Sequence, residues 1–192
     1  ELGALREQTA EARLMLERLQ EMAREIKRDR QTVPHQVRTG QIPSLGASNR
    51  WDSLQETNTE LQDAIDTAFN ERLRLLSDIP EAEEALEQVQ SLRQSSAQSF
   101  DESLQQVLED AETYLSQRLE AMRELLDLYN EQAAIATDAY DASSQYTEEL
   151  SAAMMDARKR GLLARSEEGL SLGTFRAIGA GLSAIAQDGD MI

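Results

Sequence analysis

The stretch LSQRLEAMRELLDLYNEQAAIATDAYDASSQYTEELSAAMMDA, residues 115–157, decides the fold. Leu115, Leu119, Met122, Leu126, Tyr129, Ala133, Ala136, Tyr140, Ser143, Thr147, Leu150, Met154 and Ala157 follow one another at alternating steps of four and three. That is the 3.5-residue period of a coiled-coil seam, and random placement would not sustain it over so many turns. No Pro or Gly stands between Glu81 and Arg160. A helix over 99–160 would be roughly 90 Å long at 1.5 Å per residue. The chain is therefore expected to be all-α: an elongated helical bundle or coiled coil, one domain overall, with one very long helix. The seam changes from Leu to Ala, Ser and Thr around 133–147, where helices can approach closely.

Working outward, 80–98 reads as a third helix ahead of the long fourth one. Pro80 is suited to a helix's first position, so a break is expected after Asp78-Ile79. Ser95, Ser96 and Ser99 weaken the helix at its other end, and Ser99-Phe100-Asp101-Glu102 matches a capping box, so a kink or short break is expected there. Helix 2 spans 51–79 on Leu54, Leu61, Ile65, Ala68, Leu75 and Ile79, with Asn58 and Arg72 as polar seam residues that fix register. Pro34, Gly40, Pro43 and Gly46 mark 32–50 as a loop. Helix 1 covers 1–31, with Leu5, Thr9, Ala12, Leu16, Leu19, Ala23 and Ile26 inward. On the far side, Gly161 is expected to end the long helix and Glu167-Glu168-Gly169 to form a turn. Leu172, Phe175, Ile178, Leu182 and Ile185 then suggest a short amphipathic helix and a frayed tail within 161–192.

Composition agrees with this plan. The 192 residues are 40% hydrophobic and only 4% aromatic, with 3 Pro and 9 Gly, which suits helices and not a β-sandwich. The net charge is −17, and residues 81–157 carry most of it, with eighteen acidic and three basic side chains. Nucleic acid is thereby an unsuitable partner, because its recognition needs cations that displace counterions. There is no cysteine, so disulfides, thiolate metal sites and cysteine nucleophiles are excluded. No run of about twenty apolar residues would span a membrane. The chain begins at Glu1 without an initiator Met, which reads as a processed chain or a piece of a longer one.

Few residues suggest chemistry. His35 is the sole histidine, which leaves it without a metal-binding companion, and it reads as an ordinary loop residue. Trp51 reads as a core anchor at the start of helix 2. Arg24, Lys27, Arg28 and Arg30 read as a solvated basic face, with an anionic-lipid or phosphate patch as the other reading. Glu109/Asp110 and Glu148/Glu149 are adjacent and point to different helix faces, so they do not form an acid–base pair. The chain is expected to be no enzyme, with no catalytic, cofactor-binding or metal-binding residue, no cofactor and no readable small-molecule ligand.

Residues 119–166 carry a resemblance. Arg123-Glu124-Leu125-Leu126-Asp127, Tyr129, Tyr140 and Leu162-Leu163-Ala164-Arg165-Ser166, followed by Ser171-Leu172-Gly173-Thr174-Phe175, are similar to the extracytoplasmic N-terminal helical region of large channels of the MscS superfamily, the MscK type of mechanosensitive channel. Ile42-Pro43-Ser44-Leu45 and Glu71-Arg72-Leu73-Arg74-Leu75-Leu76 resemble that region's loop and following helix. The sequence departs from the pattern in lacking a Trp near 163–164 and in having Gly161 for a bulky residue. The resemblance implies a periplasmic extension of an ion channel of the bacterial inner membrane, an osmotic safety valve. Its membrane-spanning helices are expected beyond Ile192, and its partners would be other channel subunits or further copies of itself. Two other readings stand beside it: a soluble coiled-coil scaffold or adaptor, in the cytoplasm or elsewhere, and a chemoreceptor-like sensory bundle, which needs a pocket of convergent polar groups.

Overall fold

The computed structural model describes residues 2–96 and 102–169, the side chains of 44, 96 and 162–169 excepted. The chain is all-α: α1 (Leu2–Arg38), α2 (Ser44–Ser96) and α3 (Glu102–Gly169) form a bundle, and no strand occurs among the described residues. Ion pairs give the directions. Arg13 pairs with Glu124 and Arg30 with Glu149, so α1 runs parallel to α3. Arg93 pairs with Glu112 and Arg123 with Glu83, so α2 runs antiparallel to α3. With 68 residues, α3 is about 100 Å long.

The seams are where the spacing places them. In α1, Thr9, Ala12, Leu16, Leu19 and Ile26 are buried. In α2, Leu54, Leu61, Ala68, Leu75 and Ala82 are buried at every seventh residue, while Asn58, Ile65, Arg72 and Ile79 are half-buried beside them. In α3, a second row joins the expected one: Leu125, Gln132, Ala139, Tyr146 and Ala153, again every seventh residue, are buried. The helix thus has three inward positions in each heptad, the wide face needed to meet two partners at once.

Several boundaries differ from the sequence expectation, for related reasons. Helix 1 does not stop at residue 31. It continues through Pro34, because Val33 and Val37 extend its seam into a cluster with Ala47, Leu54, Tyr146 and Leu150. Burial of those side chains offsets the roughly 3 kcal/mol that an interior Pro costs a helix. His35 is consequently a helical residue and not a loop residue, although exposed. Helices 2 and 3 are one helix: Leu75, Ile79 and Ala82 pack in one cluster on both sides of Pro80, whose ring faces solvent. Gly161 does not end the long helix, which runs on to Gly169 with open space around it at 161. Glu167 and Glu168 are accordingly helical, not a turn. Trp51 is 37% exposed, not a core anchor. The expected short helix on Leu172–Ile185 and the frayed tail lie outside the described residues.

The loop of 32–50 shrinks to five residues, 39–43. Gly40 takes φ 77°, and its N–H donates to Val37 O at 3.2 Å while Gln41 N–H donates to Gln36 O at 2.9 Å. This pairing is the Schellman motif, and glycine supplies its left-handed residue without a side-chain clash. Ile42 then packs on the cluster of Val33, Val37, Ala47 and Tyr146, and Pro43 O accepts from Ala47 N–H at 3.0 Å as α2 begins.

The phase of α3 is testable at adjacent residues. Leu119 is buried with Met122 and Leu125, whereas Glu120 is exposed. Leu119→Ala should lower unfolding stability by about 2–5 kcal/mol. Glu120→Ala should change it by less than about 0.5 kcal/mol. Urea denaturation followed by circular dichroism measures both, and equal effects would contradict this packing.

Candidate functional site

Three apolar clusters fill the bundle, and polar side chains separate them. The lower polar layer is the candidate site. Asp29 stands three residues after Ile26 on the buried face of α1, and its side chain is only 12% exposed. Arg50, in α2, pairs with Asp29 Oδ2, and Arg28 Nε donates to Oδ1 at 3.4 Å. Across from them α3 inserts Tyr146, 2% exposed, whose hydroxyl is buried without a protein partner. About one turn above it on α3, Ser143 is fully buried as well.

These groups border a cavity of about 110 Å³ between α1 and α2, with Met22, Ile26 and Leu54 forming its apolar wall and Ser53 and Thr57 its rim. Burial pushes the Tyr146 hydroxyl up to about 12; the Asp29 carboxylate acts in the same direction and Arg50 opposes it. Tyr146 is therefore a neutral hydroxyl at physiological pH, a hydrogen-bond donor and no base. The space is polar and ample for water, the ordinary partner of a hydroxyl buried between helices. It is well below the roughly 300 Å³ at which small-molecule pockets begin.

A second polar layer lies higher. Gln132 is buried, and its Nε2 donates to Ala12 O on α1 at 2.6 Å. Arg72 and Tyr129 are half-buried above it. Burial raises the Tyr129 pKa, and the Glu71 charge adds to that.

The residues noticed in the sequence disperse. Arg24 Nε donates to Gln20 O, Arg28 serves Glu25 and Asp29, and Arg30 reaches across to Glu149 at 2.8 Å. Arg24, Lys27 and Arg28 are exposed, as on a solvated face, and only Arg30 is half-buried. Glu149 meets Arg30 while Glu148 is exposed, and Asp110 accepts from Gln106 on its own helix. Among the described residues no three carboxylates or histidines gather as a metal ion would need. No described helix is long and apolar enough to cross a membrane. Asp29, Arg50, Gln132 and Tyr146 escaped sequence reasoning. For Gln132 and Tyr146 the signal is the second heptad row of α3, in which they alternate with Leu125, Ala139 and Ala153, whereas Asp29 and Arg50 belong to other helices and carry no such signal.

The site has an alkaline signature. A pKa raised on folding contributes stability below the unfolded value near 10 and loses it as pH rises toward 12. Tyrosinate absorbance should show an ionisation step near pH 12, and a Tyr146→Phe chain should lack it. Because the hydroxyl has no protein partner, Tyr146→Phe should cost less than about 1 kcal/mol at neutral pH, or stabilise. A larger loss on thermal melting would mean that the hydroxyl carries a strong bond.

No protein family, no curated protein and no solved structure matches the chain.

Proposed function

We propose that the chain is a non-catalytic, load-bearing helical extension of a mechanosensitive channel, on the periplasmic side of a bacterial inner membrane. The observation that supports this reading is α3, one helix of 68 residues without a break, braced by α2 through most of its length and by α1 from about Arg118 to Ala157. A displacement applied at one end of such a strut travels along its axis, because its hydrogen bonds lie parallel to the load. The polar layers add resistance to sliding: moving α1 by a turn would strip Asp29 from Arg50 and Gln132 from Ala12 O. The resemblance of 119–166 to the extracytoplasmic helices of such channels gives the strut its place.

A coiled-coil scaffold is the second reading, favoured by exposed apolar side chains, among them Leu104 and Val107, at the top of the bundle. The sensory-bundle reading needs an enclosed ligand cavity; the one beside Tyr146 is small for that, and the larger hollow of about 370 Å³ beside Leu19 and Gln132 is a more open groove.

Patch-clamp recording separates the first two readings. In the full-length channel, deletion of 1–157 should leave a conducting pore with an altered tension threshold. Identical gating with and without 1–157 would reject the load-bearing role. No tension-gated current from a surface-expressed full-length protein would reject the channel assignment.

A further inference from the structure

The face of α3 that α1 covers does not end where α1 ends. In the braced part, the residues turned toward α1 form three rows along α3. One row holds Leu125 and Gln132, a second holds Leu128, Ile135 and Glu149, and a third holds Glu124. Stepping back along the helix by sevens from Leu125 passes Arg118 and leads to Ala111 and Leu104, and from Leu128 passes Ala121 and Tyr114 and leads to Val107. The first turns of α1, at Ala4 and Leu5, lie beside Arg118 and Met122. Beyond them α2 and α3 continue as a two-helix hairpin, and the same face is open to solvent. Leu125 is fully buried, but Leu104 is 41% and Val107 60% exposed.

The charges continue too. α1 is held by arginines that reach carboxylates on its neighbours: Arg13 to Glu124 of α3, and Arg18 to Glu60 of α2 at 2.8 Å. Asp110 stands two heptads above Glu124 in the same row, with Gln117 between them, and Glu81 three heptads beyond Glu60 in the corresponding row of α2, past Thr67 and Arg74, whose guanidinium is paired with Glu71. Both are exposed and both lie past the start of α1. Across 81–96 and 102–120 there are nine carboxylates and two arginines.

We infer that this hairpin end is a docking surface for a basic amphipathic helix of another protein. The helix would lay apolar residues at steps of three and four onto Leu104, Val107 and Ala111, with Arg or Lys reaching Asp110 and Glu81. The argument is continuity with the α1 interface, which displays the same recognition in its completed form, together with the complementary charge. A second copy of this chain fits poorly, since two such acidic ends repel.

A fluorescein-labelled synthetic peptide with the sequence of residues 13–30 of α1 is the probe, since it combines that seam with basic flanks. Anisotropy titration with the full chain should show saturable one-to-one binding that weakens with added salt. Leu104→Glu with Val107→Glu should weaken it by about tenfold or more. Asp110→Asn with Glu81→Gln should weaken it and flatten the salt dependence. All four side chains are exposed, so circular dichroism melts should match the parent. A peptide with Glu at its basic positions should not bind. Absence of saturable binding would overturn the proposal, as would undiminished binding to the Leu104/Val107 double variant, which would mean exchange with α1. Dimerisation of the chain itself, lost in that double variant on sedimentation, would also overturn it by making a second copy the occupant.

Discussion

A helix that seats two others along its length needs three inward positions in every seven, and their side chains must be small where the partners come closest. In α3 this requirement is met by Ala133, Ala136, Ala139 and Ser143 at mid-length, with larger residues above and below. Both neighbours lie close to α3 and farther from one another, so the space between α1 and α2 forms a furrow floored by α3. The Tyr146 cavity opens into that furrow, and Gln132 lies along it. Had α3 carried leucine throughout, its partners would stand farther off and the furrow floor would lie deeper.

The polar layers depend on the same close approach. Gln132 reaches the α1 backbone at 2.6 Å because its neighbours Ala136 and Ala139 keep the helices near. A buried amide bonded to one carbonyl favours one register, since any slip leaves both groups in an apolar setting without water. Asp29 acts similarly through Arg50. These layers contribute less to net stability than leucines would, and more to the uniqueness of the alignment.

Much of this architecture is legible in the sequence. The all-α class, the direction of each seam and the inward residues from Leu5 to Ile26 and from Leu54 to Ile79 follow from spacing alone, because burial of one stripe is what spacing encodes. The breaks are less legible. Gly40 and Pro43 mark a true turn, but Pro34, Pro80 and Gly161 do not interrupt their helices. Local propensity penalises each of them by a few kcal/mol at most, while the apolar residues flanking the two prolines are held by long-range packing that no local window contains. The same limit hid the lower polar layer. Asp29, Arg50 and Tyr146 come from three helices and meet only after the bundle closes, and a carboxylate on a helix otherwise reads as solvated.

The parallel arrangement of α1 and α3 has a consequence for how the chain assembles. The partners that hold α1 lie far along the chain, Glu124 for Arg13, Gln132 for Ala12 and Glu149 for Arg30. The α2–α3 hairpin closes across a much shorter span, with Arg93 and Gln90 both reaching Glu112. Loop-closure entropy favours the shorter closure. A chain emerging from the ribosome therefore exposes Leu16, Leu19 and Ile26 from the start, yet offers them no complete seat until most of α3 has been made. Of the three helices, the one made first is thus the last to be buried, and until then its apolar stripe is open to wrong contacts.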